Sequence, residues 1–354
     1  MIGTFNIDIT RIKHSRIKEV NFEKLPFGKT FTDHMLIADY KEGEWQNPKI
    51  VPYGKMEVSP AMSALNYGQS IFEGMKVFKT ANGKLSAFRA EDNYHRMNIS
   101  ADRMCMPAIP YDIFIEGLKA LVNLDSEWVP SQENHSLYVR PVYFSTDEAI
   151  GVKPSETYRF AIVMCPVGPY FLEPLKVYAE SEYGRSFEGG MGFAKAAGNY
   201  GGAFYPTRKA QQNGYHQIVW LDAKEHKYVE ESGAMNLMIV INNTLITPKL
   251  SSSKLAGITR DSVLKLAKNQ GIQVEERDVS IDEIISALEI GSLEEMFGCG
   301  TAVQIAPITL LGYQDKKYSL PAFKDDFISK KIGTLLSNIK TGKVQDTFNW
   351  NFYL

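Results

Sequence analysis

Pro166, Gly168, Pro169 and Pro174 crowd into nine positions of PVGPYFLEPLKVY. Proline fixes its own φ and carries no amide N–H, while glycine leaves the backbone loose, so neither a central strand nor a helix is expected to run through such a cluster. The chain has 354 residues, more than one small core organises, and two domains are expected. The break assigns residues 1–165 to a smaller N-terminal α/β domain, 166–176 to a linker and 177–354 to a larger C-terminal domain.

Strand and helix patterns are interspersed on both sides of the break, which indicates an α/β class of mixed α+β type. HMLIADY, SLYVRPVYF (136–144) and RFAIVMCPV (159–167) are short, apolar and rich in β-branched or aromatic residues, as strands are. In EDNYHRMNISADRM the residues Tyr94, Met97, Ala101 and Met104 share one helical face, with Asn93 and Arg96 on an adjoining stripe. Beyond the break, HQIVWLD reads as a strand and NLMIVINNTLITP as a hairpin turning at Asn242-Asn243. TRDSVLKLAKNQG predicts a helix with Thr259 as N-cap and Gly271 as its stop. Ile328, Ile332, Leu335 and Ile339 mark another amphipathic helix.

Lysine and arginine number 39 against 41 aspartates and glutamates. That balance lacks the basic field a nucleic-acid or membrane-surface partner requires, so small-molecule chemistry fits better. Cys105, Cys165 and Cys299 are odd in number, widely separated and outside any Cys-x-x-Cys motif, as in a reducing cytoplasm. The N-terminal MIGTFNIDITRIKHSRIKEV has no continuous apolar core, and no later segment reaches spanning length, so neither a secretory signal nor a membrane segment is expected. The glycosylation-type motifs at Asn98 and Asn242 are discounted accordingly. None of the histidines pairs with a cysteine or a second histidine at ligand spacing, and no metal is expected.

Three features carry chemical promise. In GGMGFAKAAGNYGGA a single cation, Lys195, stands among small residues that leave an amine poorly solvated and allow a cofactor close approach, although a glycine-rich surface turn would have the same composition. LAGITR puts Gly257 directly before a helix start, where the amides of Ile258 and Thr259 could bind phosphate or simply face water. Glu230 and Glu231 precede a Ser-Gly turn, and they are either a solvated hairpin end or buried carboxylates in need of a cationic partner. Nucleotide motifs fail on spacing: Glu23 stands where a Walker loop ending at Gly28-Lys29-Thr30 needs glycine, and the glycines around Lys195 do not satisfy G-x-G-x-x-G.

A nucleophilic lysine, a phosphate-ready helix start and a spare carboxylate are together the groups that pyridoxal 5'-phosphate requires. In order along nearly the whole chain, FGKTFTDHML, ALNYGQSIFEGMKVF, SLYVRPVYF, CPVGPYF, KAAGNYGG, EESGAMN, LAGITR and MFGCGTA resemble the branched-chain amino acid aminotransferases of the larger, animal-like type. These belong to the class IV (fold type IV) pyridoxal phosphate enzymes, which have a small N-terminal α/β domain and a larger one built on a barrel-like sheet.

The resemblance makes Lys195 the Schiff-base lysine and proton shuttle, Glu231 the partner of the ring nitrogen and Tyr200 that of the ring's phenolic oxygen. Arg96, Thr301 and the amides of Ile258 and Thr259 would hold the phosphate. Substrate would lie among Phe27, Phe72, Tyr138 and Tyr170, with Tyr67 and Arg140 nearby and the Thr301 and Ala302 amides on its α-carboxylate. The activity implied is ping-pong transfer of the amino group of L-leucine, L-isoleucine or L-valine to 2-oxoglutarate, in a homodimer. D-amino acid aminotransferases and aminodeoxychorismate lyases share the lysine and carboxylate but not the long aromatic-rich N-terminal segment. From another class, a phosphate- or nucleotide-binding protein without pyridoxal chemistry remains an alternative that the failed motif spacings weigh against. The chain departs from the family pattern in three places. TAVQIAP lacks the Cys-x-x-Cys pair of animal members, Ala234 replaces a frequent Thr or Ser, and Pro206 predicts a late start or a kink in the helix after Tyr200.

Overall fold

Long apolar runs buried on both faces organise the first of two sheets. The computed structural model describes residues 5–354, so the first four positions of the N-terminal segment read above lie outside the described residues. In this sheet β1 (His34–Lys41), β2 (Ser70–Phe72), β3 (Met75–Lys79), β4 (Ser136–Ser145) and β5 (Tyr158–Val167) are central. β5 lies between β1 and β4, and β4 pairs on its other side with β3 over Leu137–Val139 and with β2 over Val142–Phe144, all antiparallel. Pro141 falls at the changeover from β3 to β2, the place along a central strand where a missing N–H disturbs the ladder least. Helix α1 (Ala90–Arg103) buries Met97 and Ala101, and its first turn carries Glu91 and Asp92 at the positive end of the dipole.

The predicted strands and α1 form as expected, with one correction at the proline cluster. β5 continues through Pro166 to Val167, and Pro166 stands opposite Leu137 of β4. Its missing N–H is tolerated because β1 pairs with β5 only over Tyr158–Ile162, leaving that end of β5 outside the β1 ladder. The break begins at Gly168 instead.

The chain divides into two compact units. One gathers the residues up to Tyr170 with Ala194–Gly198 and Ile339–Leu354; the other comprises Phe171–Phe193 and Asn199–Asn338. Two segments from beyond the proline cluster thus belong with the first unit, for reasons visible in the pairing. Ala196 forms an antiparallel bridge with Ile71, and Asn351–Tyr353 pairs with Leu85–Phe88.

The second unit is built on β6 (Leu175–Glu180), β7 (Gln217–Leu221), β8 (Val229–Ser232), β9 (Met235–Ile241), β10 (Leu293–Gly300) and β11 (Gln304–Tyr313). Their order β8-β7-β6-β11-β10-β9, with β9 pairing back onto β8, closes a six-stranded barrel. Closure depends on a tight turn: Ser232 pairs with Met235, and Gly233 between them takes φ 57°, a left-handed value that glycine adopts without a Cβ penalty. Val177, Val219, Leu237, Ile239, Met296 and Ile308 are among the buried residues of the core. β9 runs into the expected hairpin, whose turn residues Asn242 and Asn243 have φ 50° and 58°, as a two-residue turn of type I′ needs.

Two helix starts follow from backbone chemistry. After a single turn at Gly198–Gly201, helix α2 begins late, at Phe204–Gln212, so that Pro206 occupies its first turn, where an N–H would have no helical partner. Helix α3 (Ile258–Asn269) is capped by Gly257, which makes Thr259 its second residue rather than its N-cap. A Cβ at position 257 would collide with the Asn236 side-chain oxygen. α3 ends as expected, with Gly271 at φ 73° and the Ile272 amide donating to Ala267 at 2.9 Å.

Leu237 is wholly buried in the barrel core, so Leu237→Ala should lower unfolding stability by about 2–5 kcal/mol in urea titration. Leu172→Ala, at a position 91% exposed, should stay within about 0.5 kcal/mol.

Candidate active site

In the first unit, the backbone around Lys195 is held as an extra rung beside β2. The Phe72 amide donates to Lys195 O at 3.1 Å, the Ala197 amide to Ser70 O at 2.9 Å, and the Lys195 amide to Ser100 Oγ at 2.9 Å. Ala194 and Ala196 are buried on either side, where larger side chains would not fit, and Lys195 itself is half-buried. At Ala194, Ala196, Gly190 and Gly192 the small residues therefore serve close packing, while Gly189, Gly198, Gly201 and Gly202 of the same stretch are exposed.

Lys195 Nζ lies 4.9 Å from the centre of the Phe72 ring. The Arg140 guanidinium lies 4.6 Å from that ring, and its Nη2 donates to Tyr138 Oη at 3.0 Å. Tyr138 meets Phe27 edge-on at 5.1 Å, and Phe27 meets Tyr170 at 4.8 Å. Six of the expected residues are thus joined in one run of cations and aromatic faces, which favours flat or apolar groups with a negative end. Arg140 Nε is buried without a hydrogen-bond partner, an unused donor within this cluster. Tyr67 stands apart, exposed at the end of the short helix Ser63–Asn66.

Two neighbours were missed in the sequence, both inside SIFEGMKVF. A Cβ on Gly74 would overlap the Tyr138 hydroxyl, so glycine is what admits the ring at this place. Glu73, wholly buried, receives Arg96 Nε at 2.7 Å and Nη2 at 2.9 Å. That two-point contact sets the direction of the guanidinium on α1.

In the second unit, both glutamates of the Ser-Gly turn are buried, which disposes of the solvated hairpin end. Glu231 Oε2 is ion-paired with Arg185 Nε at 2.7 Å. Its Oε1 accepts from the Leu255 amide at 2.8 Å and from Asn236 Nδ2 at 3.3 Å. Arg185 is the cationic partner that a buried carboxylate demands, and only that demand could have pointed to it, since a lone arginine upstream of a glycine-rich run carries no motif. Glu231 and Tyr200 line one cavity of about 330 Å³, together with Arg185, Asn199, Ala234 and Leu255. An anchored carboxylate and a phenol lining the same cavity fit pyridoxal phosphate, the carboxylate accepting from the protonated ring nitrogen and the phenol donating to the ring oxygen. Ile258 and Thr259 open α3 and are buried. Thr301 and Ala302 are half-buried between β10 and β11.

The family model described as Amino-transferase class IV matches residues 70–311. Branched-chain-amino-acid transaminase 1 of Bacillus subtilis (strain 168) is 43% identical over 331 residues, covering 92% of this chain and 93% of its own. A probable branched-chain-amino-acid aminotransferase of Staphylococcus aureus (strain N315) is 44% identical over 335 residues, covering 93% of each. Among solved structures, the branched-chain amino acid aminotransferase of Escherichia coli aligns with a TM-score of 0.73 at 26% identity, covering 90% of this chain and 98% of its own. That of Thermoproteus uzoniensis, solved with norvaline, gives 0.72 at 26%, covering 90% and 99%.

Lys76 is the remaining unexpected feature. It stands opposite Tyr138 in the β3–β4 register, hence on the same face of the sheet, and is 4% exposed. Burial pushes its pKa down to about 8. The folded state therefore binds fewer protons than the unfolded chain between about pH 8 and the ordinary lysine range near 10.5, and stability gains with pH across that window. Lys76→Met removes this contribution. Its melting temperature should exceed that of the wild type most clearly below about pH 8, with the gap closing toward pH 10.5; parallel curves would contradict the assignment.

Proposed function

The chain belongs to the class IV amino-transferase family, and on that footing we propose that it is a branched-chain amino acid aminotransferase working with pyridoxal 5'-phosphate. One observation carries the reading: a branched-chain-amino-acid transaminase and a probable branched-chain-amino-acid aminotransferase are 43% and 44% identical to it over more than nine-tenths of both chains. The amino group of L-leucine, L-isoleucine or L-valine passes to 2-oxoglutarate in two alternating half-reactions, leaving a branched 2-oxo acid and L-glutamate. Nothing in the site or the relatives favours the D-amino acid, lyase or nucleotide readings.

Pyridoxal phosphate, when bound, supplies an aldehyde to hold the substrate nitrogen and a cationic ring to draw electrons from the substrate Cα. Glu231, already anchored by Arg185 and two N–H donors, would face the ring nitrogen and keep it protonated. Tyr200 would donate to the ring oxygen. Arg96, Thr301 and the Ile258 and Thr259 amides would receive the phosphate, combining a fixed guanidinium with helix-end dipoles. Lys195 Nζ would take the proton from the substrate Cα, and the Lys195 backbone is fixed by two hydrogen bonds, with a third at Ala197, for that work.

Phe27, Phe72, Tyr138 and Tyr170 would bury the branched side chain, each buried CH₂ favouring binding by about 0.8 kcal/mol. The same cluster must also accept the distal carboxylate of glutamate. Arg140, with its unsatisfied Nε, and the Tyr138 hydroxyl are suited to it. The Thr301 and Ala302 amides would hold the α-carboxylate, and Tyr67, exposed on its own chain, would reach across to the pocket of a second copy.

We further propose a homodimer in the cytoplasm. In support, Ile150 and Val152 are 80% and 90% exposed on one loop, apolar surface that a second copy would cover. None of the three cysteines is in a disulfide.

Incubated with L-leucine, 2-oxoglutarate and pyridoxal phosphate, the protein should form L-glutamate and 4-methyl-2-oxopentanoate in equal amounts, and Lys195→Ala should form neither. Equal activity in both proteins, or consumption of D-alanine but not L-leucine, would overturn the reading.

A further inference from the structure

Residues 251–257 join the barrel hairpin to the start of α3, and three groups of contacts converge on them. Against the segment that leads toward Lys195, the Phe193 amide donates to Ser252 O at 3.0 Å and the Gly189 amide to Ser252 Oγ at 2.7 Å. Arg185 Nη2 bridges Gly192 O at 3.2 Å and Ser253 O at 2.7 Å. A Cβ on Gly192 would collide with the Ser253 carbonyl, so the two backbones touch. Against β8 and β9, the Leu255 amide donates to Glu231, and Asn236 Nδ2 donates to Leu255 O at 2.9 Å. At its end, Gly257 caps α3. One loop is therefore the common support of the ring-nitrogen carboxylate, the phosphate-facing helix start and the approach to the reactive lysine.

What pins this loop is a second carboxylate, Glu230, which the reaction does not use. Its Oε1 accepts from Ser253 Oγ and from Lys254 Nζ, the latter at 3.0 Å, while Oε2 is buried without a partner. Glu230 and Lys254 are 5% and 8% exposed. An ion pair so far out of water is strongly directional, and loss of either charge strands the other in the protein. Adjacent residues on β8 point to opposite faces, yet Glu230 and Glu231 both grip the same loop, one through a side-chain cation and the other through a backbone amide.

We infer that Lys254 and Glu230 are positioning residues for the cofactor: their buried pair holds residues 251–257 in the one arrangement that aims Glu231 and the first amides of α3 together. The inference rests on the proposed pyridoxal phosphate chemistry, and the test separates the two. The protein is freed of cofactor and titrated with pyridoxal 5'-phosphate, binding being followed by quenching of intrinsic fluorescence, and each cofactor-free variant is melted in parallel.

Lys254→Met should raise the dissociation constant about tenfold or more, and Lys254→Arg should stay closer to wild type. Glu230→Gln combined with Lys254→Met removes the stranded charge, so its melting temperature should recover toward wild type while its affinity stays weak. That split distinguishes positioning from bulk stability, and the double variant keeps the test open should Lys254→Met fold poorly. If the wild type binds pyridoxal phosphate and the variants bind it equally well, or if affinity recovers together with melting temperature, this inference alone is overturned. A wild-type protein that binds none removes the functional reading and the inference with it.

Discussion

The Glu231 carboxylate is the point on which the second unit turns. It is buried, and it is tolerable there only because Arg185, the Leu255 amide and Asn236 meet its two oxygens. Each of those partners has a further attachment. Arg185 reaches two backbone carbonyls, Asn236 holds the Leu255 carbonyl, and Leu255 lies two residues before the cap of α3. A barrel closed by a two-residue turn supplies the rigidity: Glu231 and Asn236 face one another across the β8–β9 pair, and any slip in register would part them. The contacts that make a buried charge tolerable and those that fix the geometry of the turn are thus the same set.

In the first unit the governing constraint is close approach of backbones. The chain at Lys195 lies against β2 because Ala194, Ala196 and Ala197 present almost nothing to collide with, and Gly74 admits Tyr138 in the same way. Small residues here replace bulk with proximity. The result is a lysine with a fixed backbone and a side chain laid along an aromatic face, next to an arginine whose guanidinium also has an unsatisfied N–H.

Local signals carried much of this into the sequence. The Asn242-Asn243 turn, the buried face of α1, the stop at Gly271 and the delayed start forced by Pro206 are each set within a few residues, and each is found in the structure. What local pattern does not contain is pairing at long range. The bridge from Ile71 to Ala196, the return of the last strand to Leu85–Phe88 and the meeting of Glu230 with Lys254 join residues far apart in the chain. Periodicity is blind to such contacts, and it is equally blind to the burial of the charged side chain of Lys76. The cap of α3 lies two residues before the expected Thr259 for a related reason. Threonine is the commoner cap, but crowding by Asn236 gives the position to glycine.

The central claim is that the side-chain nitrogen of Lys195 bonds to the cofactor aldehyde. Borohydride reduction of the protein saturated with pyridoxal 5'-phosphate, followed by proteolysis and mass spectrometry, reads this bond directly. The account predicts one phosphopyridoxyl group per chain, on the peptide containing Lys195. A stoichiometric label on any other lysine, with Lys195 unmodified, would contradict it.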